Sequence, residues 1–406
     1  MPEKLKKGWC AWRFDQMAIM VNDRIDNPAE ADVEHYIGLE HLDSDSLTIR
    51  RWGTPSDVEA AKLRFRKGDI IFGRRRVYQR KLAVAQFDGI CSAHAMVLRA
   101  KPEVALPEFL PFFMQSDLFM ERAKQISVGS LSPTINWKTL AQEEFALPPM
   151  EEQRQIAEAL GASDTCGQAV SRVIDHLRAV RRAAIDCLTG LADWPRTTIG
   201  DFCQMQNGRP FPGKAYGEDG IRLLRPGNLG QSGFLAWDPS KTTWLPKMWE
   251  EEAREFVVDA GDVVMNLTAQ SLEDGFMGRV CLAREGDRSL LNQRIGRFRN
   301  WSPDVLPEYV FRVFQTSRFQ RHAIEMCEGS KVKHIFWPHI SRYELVLPPL
   351  HEQERAVGRL RAVDALLDQA IERRVLSGGL HRQMMATMLQ VAGEATGREP
   401  IEGTRK

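Results

Sequence analysis

One segment of the sequence has the spacing of a nucleotide-binding loop but lacks the groups that such a loop needs. Gly208–Lys214 fits the pattern G-x-x-x-x-G-K of phosphate-binding loops. Ala215 stands where a Ser or Thr hydroxyl would bind magnesium, and Pro210 and Pro212 lack the N–H groups that cradle phosphate. The match is therefore interpreted as a coincidence, and no nucleotide site is predicted here.

Other residues that could do chemistry also occur in unsuitable settings. Pro148-Pro149 and Pro348-Pro349 superficially resemble the [DN]-P-P-[YF] motif of amino-methyltransferases, but leucine replaces the carboxylate or amide before each pair and no aromatic residue follows. The 7 cysteines include no C-x-x-C pair, and the 9 histidines have no metal-ligand spacing. The sequence therefore predicts no catalytic residue, no metal site and no cofactor on this chain.

Composition limits the class of protein and its partners. A chain of 406 residues with 43% hydrophobic and 27% charged residues has room for two or three globular domains. No apolar run approaches the ~20 residues of a membrane span, and no apolar segment follows the basic N-terminus. With its scattered cysteines, the chain is predicted to be cytoplasmic, without membrane contact. The net charge is only +1, so any DNA-binding surface must be local.

The sequence contains a long internal repeat. Residues 106–160 recur as residues 306–360 at an offset of 200 without a gap, and both copies contain Leu-Pro-Pro followed by Glu and Gln. Upstream the match is looser, because Gly68-Asp69-Ile70 corresponds to Gly261-Asp262-Val263 at an offset of 193. The two copies therefore keep the same spacing in their second halves, whereas their first halves differ in length and sequence.

Each copy predicts the same order of elements. Short β-rich runs come first, an amphipathic helix follows each Leu-Pro-Glu, and each Pro-Pro pair precedes a helix of about 40 residues. Apolar residues on both long helices recur at spacings of three and four, which favours pairing of the two helices with each other. Glycines at 161, 167, 378 and 379 predict kinks or a short break.

The twice-occurring Leu-Pro-Pro-x-x-Glu-Gln element, each time followed by a long helix, resembles the specificity subunits of Type I restriction-modification systems. Residues 39–42, 50–53 and 68–76 also resemble first target-recognition domains of that family. The resemblance implies an α+β fold: two α/β target-recognition domains with pseudo-two-fold symmetry, separated by two long helices that form an antiparallel coiled coil. It also implies that each domain reads one half of a bipartite, asymmetric DNA site.

The resemblance divides the chain into recognition domains at 1–147 and 193–347, spacer helices at 148–192 and 348–392, and a polar tail at 393–406. Double-stranded DNA, two methyltransferase subunits and motor-nuclease subunits are the implied partners. S-adenosylmethionine, ATP and magnesium are expected on those subunits and not on this chain. The residues predicted for the coiled coil and for partner contact are Glu152, Gln153, Ile174, Leu177, Glu352, Gln353, Val363 and Leu367.

Basic clusters provide the candidates for DNA contact. In the first copy five basic residues surround a tyrosine after a predicted strand, and in the second copy basic residues follow Gly329-Ser330. Asn22-Asp23-Arg24 and Asn207-Gly208-Arg209 are a further, weaker pair of equivalent positions. The candidates are Arg74, Arg75, Arg76, Tyr78, Arg80, Lys81, Ser130, Arg294, Arg297, Lys331, Lys333 and His334.

Three functions are compatible with these features. The first is a non-catalytic DNA-recognition subunit, and the second is a self-contained methyltransferase or nuclease with an unrecognised active site. The third is a coiled-coil scaffold that binds only protein. Methyl transfer by the chain alone would favour the second, and absence of DNA binding even with methyltransferase subunits would favour the third.

Overall fold

The chain forms two compact units, which we call unit 1 and unit 2. The computed structural model describes residues 5–190 and 194–390, so the predicted tail at 393–406 lies outside the described residues. Unit 1 contains the residues up to Val170 and those from Arg373 onward, and unit 2 contains Ser171–Glu372. The unit boundaries fall inside the long helices, so each unit includes a part of both.

The elements of the first half of the chain follow the predicted order of strands, short helices and one long helix. They are β1 Cys10–Arg13, α1 Phe14–Met17, β2 Ala18–Val21, β3 Arg24–Ile25, β4 Tyr36–Ile37, β5 Lys62–Phe65, β6 Ile70–Phe72, β7 Leu82–Val84, β8 Gly89–Ser92, β9 Met96–Ala100, α2 Leu110–Gln115, α3 Asp117–Gln125, α4 Trp137–Leu140, β10 Glu144–Leu147 and α5 Met150–Asp186.

The second half of the chain repeats this order. Its elements are β11 Arg196–Thr198, β12 Gln204–Asn207, β13 Ile221–Leu224, β14 Thr243–Leu245, α6 Trp249–Glu252, β15 Val257–Val258, β16 Val263–Asn266, β17 Thr268–Ala269, β18 Val280–Leu282, β19 Ser289–Leu291, β20 Ile295–Arg299, α7 Pro307–Phe314, α8 Ser317–Met326, β21 Lys333–His334, α9 Trp337–Ser341, β22 Glu344–Val346 and α10 Leu350–Leu389.

The main sheets of the two units have the same topology. Unit 1 has the strand order β2-β9-β6-β7 and unit 2 the order β12-β20-β16-β18. Strand pairing fixes the equivalences: Met20 pairs with Leu98 as Met205 pairs with Phe298. The offset between copies is therefore 185 in the first strand and already 200 in β9 and β20. This register also makes Asn22 and Asn207 equivalent, which supports the weaker alignment from the sequence.

The second sheets share three strands and differ at one edge. In unit 1, β8 lies between the antiparallel β5 and the parallel β4. In unit 2, β19 lies between the antiparallel β15 and the parallel β13. The fourth strand, however, joins on opposite sides, since β3 pairs with β5 whereas β14 pairs with β13. The divergence of the sequence upstream of the fixed segment therefore corresponds to a real difference in sheet construction.

Both long helices run without a break, so of the kinks or short break predicted at the glycines the break does not occur. α5 has 37 residues and α10 has 40. Within unit 1, a Cβ atom on Gly167 would lie 3.4 Å from the Arg374 guanidinium and 3.7 Å from the Ser377 hydroxyl. The glycine thus allows close approach of the opposite helix, and packing of this kind offsets the roughly 1 kcal/mol by which glycine disfavours a helix.

The two helices pair in antiparallel fashion, as predicted. In unit 1, Ile156 and Leu160 share a core with Met385 and Leu389. In unit 2, Ile185 near the end of α5 and Leu188 just after it share a core with the earlier α10 residues Val357 and Leu360. None of the helices formed by residues 5–190 and 194–390 combines the length and the apolar composition that a bilayer crossing requires.

Candidate nucleic-acid interface

In unit 1 the predicted arginines lie against the predicted Gly-Ser loop. The loop is a hairpin closed by a bridge between Val128 and Thr134, and Arg75 forms a second bridge to Thr134. The Arg76 side chain donates a 3.2 Å hydrogen bond to the Ser132 hydroxyl. Arg76 and Ser130 are exposed and Arg74 and Arg75 are partly exposed. We call Arg74–Arg76 with the hairpin 128–134 the cationic patch of unit 1.

Unit 2 builds the same surface from equivalent backbone positions. β17 pairs with β21, with Thr268 opposite His334 and Ala269 opposite Lys333, and a further bridge joins Glu328 to His334. Thr268 corresponds to Arg75 and His334 to Thr134 at the offsets of 193 and 200. Lys331 at the hairpin tip is exposed. We call Lys331, Lys333 and His334 with β17 the cationic patch of unit 2.

The positive charge changes strands between the two patches. In unit 1 the segment after β6 carries three arginines and its hairpin is uncharged. In unit 2 the segment after β16 is uncharged, and its hairpin carries two lysines and a histidine together with Glu328 at its base. The backbone bridge is the same in both. Because divergent sequences have kept a cation at one place in the fold by different means, this place is the best candidate for phosphate contact.

An exposed aromatic side chain is present in each of these regions. Tyr78 is 53% exposed and is flanked by Arg76 and Arg80, whose φ angles of 59° and 52° lie in the left-handed region that residues other than glycine rarely adopt. Phe336 is 48% exposed and stacks on His334 with ring centroids 6.0 Å apart. Sequence reasoning missed Phe336, although its position two residues after His334 was a usable signal. Such rings can stack on bases or lie against sugars.

Two of the arginines predicted to contact DNA, Arg80 and Arg297, are structural residues instead. The Arg80 guanidinium contacts Asp45 at 2.5 Å, Asp117 at 2.9 Å and the Gln115 carbonyl at 2.5 Å. Lys81 donates to the Leu39 carbonyl at 2.5 Å. The Arg80 guanidinium is thus held by two carboxylates and a carbonyl within unit 1, which makes it unsuitable for phosphate contact. Lys81 uses one of the three donors of its ammonium group in this bond, and its contact with DNA stays a prediction.

Arg297 is likewise excluded, because it is only 6% exposed. Its guanidinium binds the carboxylate of Asp262 at 3.1 Å, the amide of Gln206 at 2.8 Å and the Glu255 carbonyl at 2.6 Å. The position of β20 explains the error: the strand lies between β12 and β16 and its first four residues are buried, whereas a basic residue in a sequence suggests a surface. Arg294, in the turn before β20, is exposed as predicted.

Gln153 and Gln353 connect the start of each long helix to the segment before α2 or α7. The Gln153 amide donates to the Val104 and Pro148 carbonyls at 2.9 and 3.0 Å and accepts from the Leu106 N–H at 2.9 Å. Gln353 repeats all three bonds, to Asp304, Pro348 and Leu306, at 2.9, 2.8 and 2.8 Å. Both amides are buried and fully occupied, which gives these residues a structural role and contradicts direct contact with a partner.

The other residues predicted for the coiled coil or for partner contact are buried or partly exposed. Ile174 is buried at 7% exposure, and Leu177, Val363 and Leu367 are half-buried. Glu152 accepts from the indole N–H of Trp9 at 3.2 Å, and Glu352 pairs with Arg355 at 2.6 Å. Both glutamates are partly exposed.

Unit 2 contains an ionic network that joins both long helices to α7. Asp364 accepts from Arg181 at 2.6 Å, and its second oxygen lies 2.7 Å from Arg312 at an angle outside hydrogen-bond geometry. Arg312 also binds Glu308 at 2.9 Å, and Glu308 in turn binds Arg361 at 2.6 Å. Arg312 is fully buried, so its charge depends on these two carboxylates.

The equivalent positions in unit 1 carry different chemistry. Phe112 replaces Arg312, Asp164 corresponds to Asp364, and His381 on α10 corresponds to Arg181 on α5. The His381 ring lies 6.1 Å from the Phe112 ring, and its Nδ1 is 3.1 Å from the Ser163 hydroxyl. Burial lowers the pKa of His381, and Asp164 opposes this effect. At these equivalent positions unit 1 therefore has a ring contact and a hydrogen bond where unit 2 has an ionic network.

Comparison with known proteins agrees with the repeated architecture. Residues 54–174 match the family described as the Type I restriction modification DNA specificity domain. The chain is 23% identical over 298 residues to the Type I restriction enzyme MjaVIII specificity subunit of Methanocaldococcus jannaschii, covering 69% of this chain and 68% of that one. It is 26% identical over 187 residues to the EcoDI specificity subunit of Escherichia coli, covering 45% and 41%. The chain is therefore similar to Type I specificity subunits in both comparisons.

Solved structures of low identity share the fold of this chain over nearly its whole length. The S subunit of a Type I restriction-modification system from M. genitalium superposes with a TM-score of 0.58 at 12% identity, covering 96% of this chain and 98% of that one. A chain from a structure of the type I R-M system gives a TM-score of 0.57 at 18% identity, covering 96% of this chain and 99% of that one.

Among residues 5–190 and 194–390, no group of three His, Cys, Asp or Glu side chains could hold a metal ion.

Proposed function

We propose that this chain is the non-catalytic subunit that recognises DNA sequence for a Type I restriction-modification complex. The observation that carries the proposal is the pair of cationic patches, which occupy the same bridge in both units although opposite strands supply the charge. A net charge of +1 requires such local concentration of cations. The differing second sheets and patches give the two units different surfaces, so the two halves of the DNA site should differ.

The proposed partners are double-stranded DNA, two methyltransferase subunits and motor-nuclease subunits. Both long helices expose apolar side chains, among them Val173 at 50%, Leu366 at 53%, Val375 at 67% and Leu376 at 65%, which favours contact with other proteins. S-adenosylmethionine, ATP and magnesium would bind the partner subunits. Because the proposed substrate is cellular DNA, we place the complex in the cytoplasm.

A salt titration tests phosphate binding by the patch of unit 1. Arg75→Ala with Arg76→Ala, assembled with the methyltransferase subunits, should reduce the slope of log K against log salt by about 0.9 for each phosphate that the patch no longer neutralises. Leu131 at the hairpin tip is 93% exposed and is the counterpart of Lys331. Adding Leu131→Lys should therefore restore the slope by about 0.9, the value for one phosphate.

Leu131→Gln is the matched control, because it introduces a polar side chain of similar length without charge. It should leave the reduced slope unchanged. If the arginine variant binds DNA with the salt dependence of the unmodified complex, the patch does not contact phosphate. Methyl transfer from S-adenosylmethionine by the purified chain alone would contradict the non-catalytic role.

A further inference from the structure

The turn between β19 and β20 lies between the cationic patch of unit 2 and a cavity to which the proposed function assigns no role. On one side, the Leu267 N–H donates to the Arg294 carbonyl at 3.0 Å, and the Leu267 carbonyl accepts from Ile335 at 3.0 Å. Leu267 immediately precedes β17 and Ile335 immediately follows β21, so the turn adjoins the cationic patch. On the other side, Asn292, Gln293 and Arg294 line an open cavity of about 580 Å³.

The backbone of this turn is held firmly from both sides. The Asn292 N–H donates to the Leu224 carbonyl at 3.3 Å, and the Gly208 N–H donates to the Ile295 carbonyl at 2.9 Å. Gly208 packs so closely that an added Cβ atom would lie 2.0 Å from the Asn292 carbonyl oxygen. The turn also links strands of two different sheets. Rigid support of this kind is what base recognition requires, since a loosely held side chain discriminates poorly.

The two side chains at the tip of the turn are long, polar and exposed. Gln293 presents an amide and Arg294 a guanidinium, and both are solvent-exposed whereas Asn292 and Ile295 beside them are buried. Arginine donates two parallel hydrogen bonds to guanine, and glutamine pairs in the same bidentate way with adenine. Arg225 lines the same cavity and adds positive charge for an approaching duplex, whereas Lys241 is paired with Asp238, which also lines the cavity, at 3.4 Å.

Unit 1 has the same turn with different residues. Offset by 200, Ala93 and His94 replace Gln293 and Arg294, and both are exposed. The Arg74 side chain donates to the Ala93 carbonyl at 3.0 Å, so this turn also borders a cationic patch. The same position next to the patch therefore presents alanine and histidine in one unit and glutamine and arginine in the other, as expected of two units that read different sequences.

We propose that Gln293 and Arg294 read base edges in the half-site bound by unit 2, while the neighbouring cationic patch holds the phosphate backbone. This inference rests on the proposed function. Arg294 is assigned to a guanine and Gln293 to an adenine of the same half-site. His94 is the corresponding residue of unit 1.

The test uses the complex with its methyltransferase subunits and the target found by modification-sensitive sequencing of host DNA. Duplexes with each base pair substituted in turn are compared for Arg294→Ala, Gln293→Ala and the unmodified chain. Arg294→Ala should lower affinity for the target about 10- to 100-fold and abolish discrimination at one base pair of one half-site. Gln293→Ala should do the same at a second pair.

Arg288→Ala is the matched control. It removes the same charge just before β19, at the opposite end of that strand from the turn, where Arg288 binds Glu250 and Asp259 on the surface. It should leave the base preference unchanged. Both tip residues are exposed, so the variants should keep the melting temperature of the unmodified complex.

The outcomes separate the inference from the proposed function. If Arg294→Ala and Gln293→Ala leave the preference at every base pair intact, or if Arg294→Ala weakens all duplexes equally with a smaller salt slope, then the turn does not read bases. If the unmodified complex shows no sequence preference at all, the proposed function itself fails. Altered preference in both half-sites would also overturn the assignment to unit 2.

Discussion

The buried glutamines at the start of the long helices allow one prediction to be made twice in the same molecule. Gln153→Leu and Gln353→Leu keep a similar side-chain volume but remove the amide. Each substitution deletes three hydrogen bonds, whose lengths of 2.9, 3.0 and 2.9 Å in unit 1 match 2.9, 2.8 and 2.8 Å in unit 2. The two variants should therefore destabilise their own units by the same amount.

The magnitude follows from the groups left without partners. Each variant leaves one backbone N–H and two backbone carbonyls, and an unsatisfied buried polar group costs about 1–3 kcal/mol. Carbonyls tolerate this better than N–H groups, so we expect a loss of about 3–5 kcal/mol in the free energy of opening. Exposed Gln155→Leu, two residues further along α5, is the matched control and should change it by no more than about 0.5 kcal/mol.

Hydrogen exchange measured by mass spectrometry on the full chain is the appropriate assay, because it reports opening of each unit separately. Gln153→Leu should accelerate exchange in α2 and the first turns of α5, and Gln353→Leu should do so in α7 and the first turns of α10. A loss below about 1 kcal/mol, or a difference between the twins of more than about 1 kcal/mol, would show that these bonds do not anchor the helices equivalently.

The ionic network predicts the opposite, an unequal response of the two units. Asp364→Asn should destabilise unit 2 by about 3–5 kcal/mol, because it leaves Arg312 and Arg181 without their shared carboxylate. Asp164→Asn should destabilise unit 1 by less than about 1 kcal/mol. Equal losses for the two variants in the same hydrogen-exchange assay would contradict this prediction. Burial lowers the pKa of His381 below its ordinary 6.5, so the folded state binds fewer protons than the unfolded state. Stability from the neutral ring is thus complete above about pH 6.5 and lost as the pH falls below it. Opening of unit 1 near His381 should become easier in that range, and His381→Gln should remove the dependence.

The sequence by itself determined the repeat, the class of elements and the pairing of the long helices, whereas their antiparallel direction was implied only by the family resemblance. An ungapped offset of 200 with Pro-Pro before each helix leaves little freedom, because proline ends the preceding strand and the apolar spacing then requires a partner along the whole helix. The general location of charge could also be read, since Arg74–Arg76 and Lys331–His334 proved to lie on one equivalent surface in their units.

The tertiary structure decided which charged residues remain available. Arg80 and Arg297 are as basic as Arg76, but neighbouring carboxylates and carbonyls occupy them, and such partners come from segments 35 to 42 residues away. The glycines of the long helices do not interrupt them, because intrinsic propensity is a weak term beside packing against a second helix.

Only the strand register revealed that the two cationic patches are the same place in the fold. Their charges lie on different segments with offsets of 193 and 200, so no single alignment brings Arg75 opposite a basic residue. The backbone bridges of Arg75 to Thr134 and of Thr268 to His334 make the equivalence visible. A backbone bridge fixes where two segments meet, but it does not determine which segment carries the basic side chains. The two units can therefore have a basic patch at the same place in the fold although different segments supply the charge.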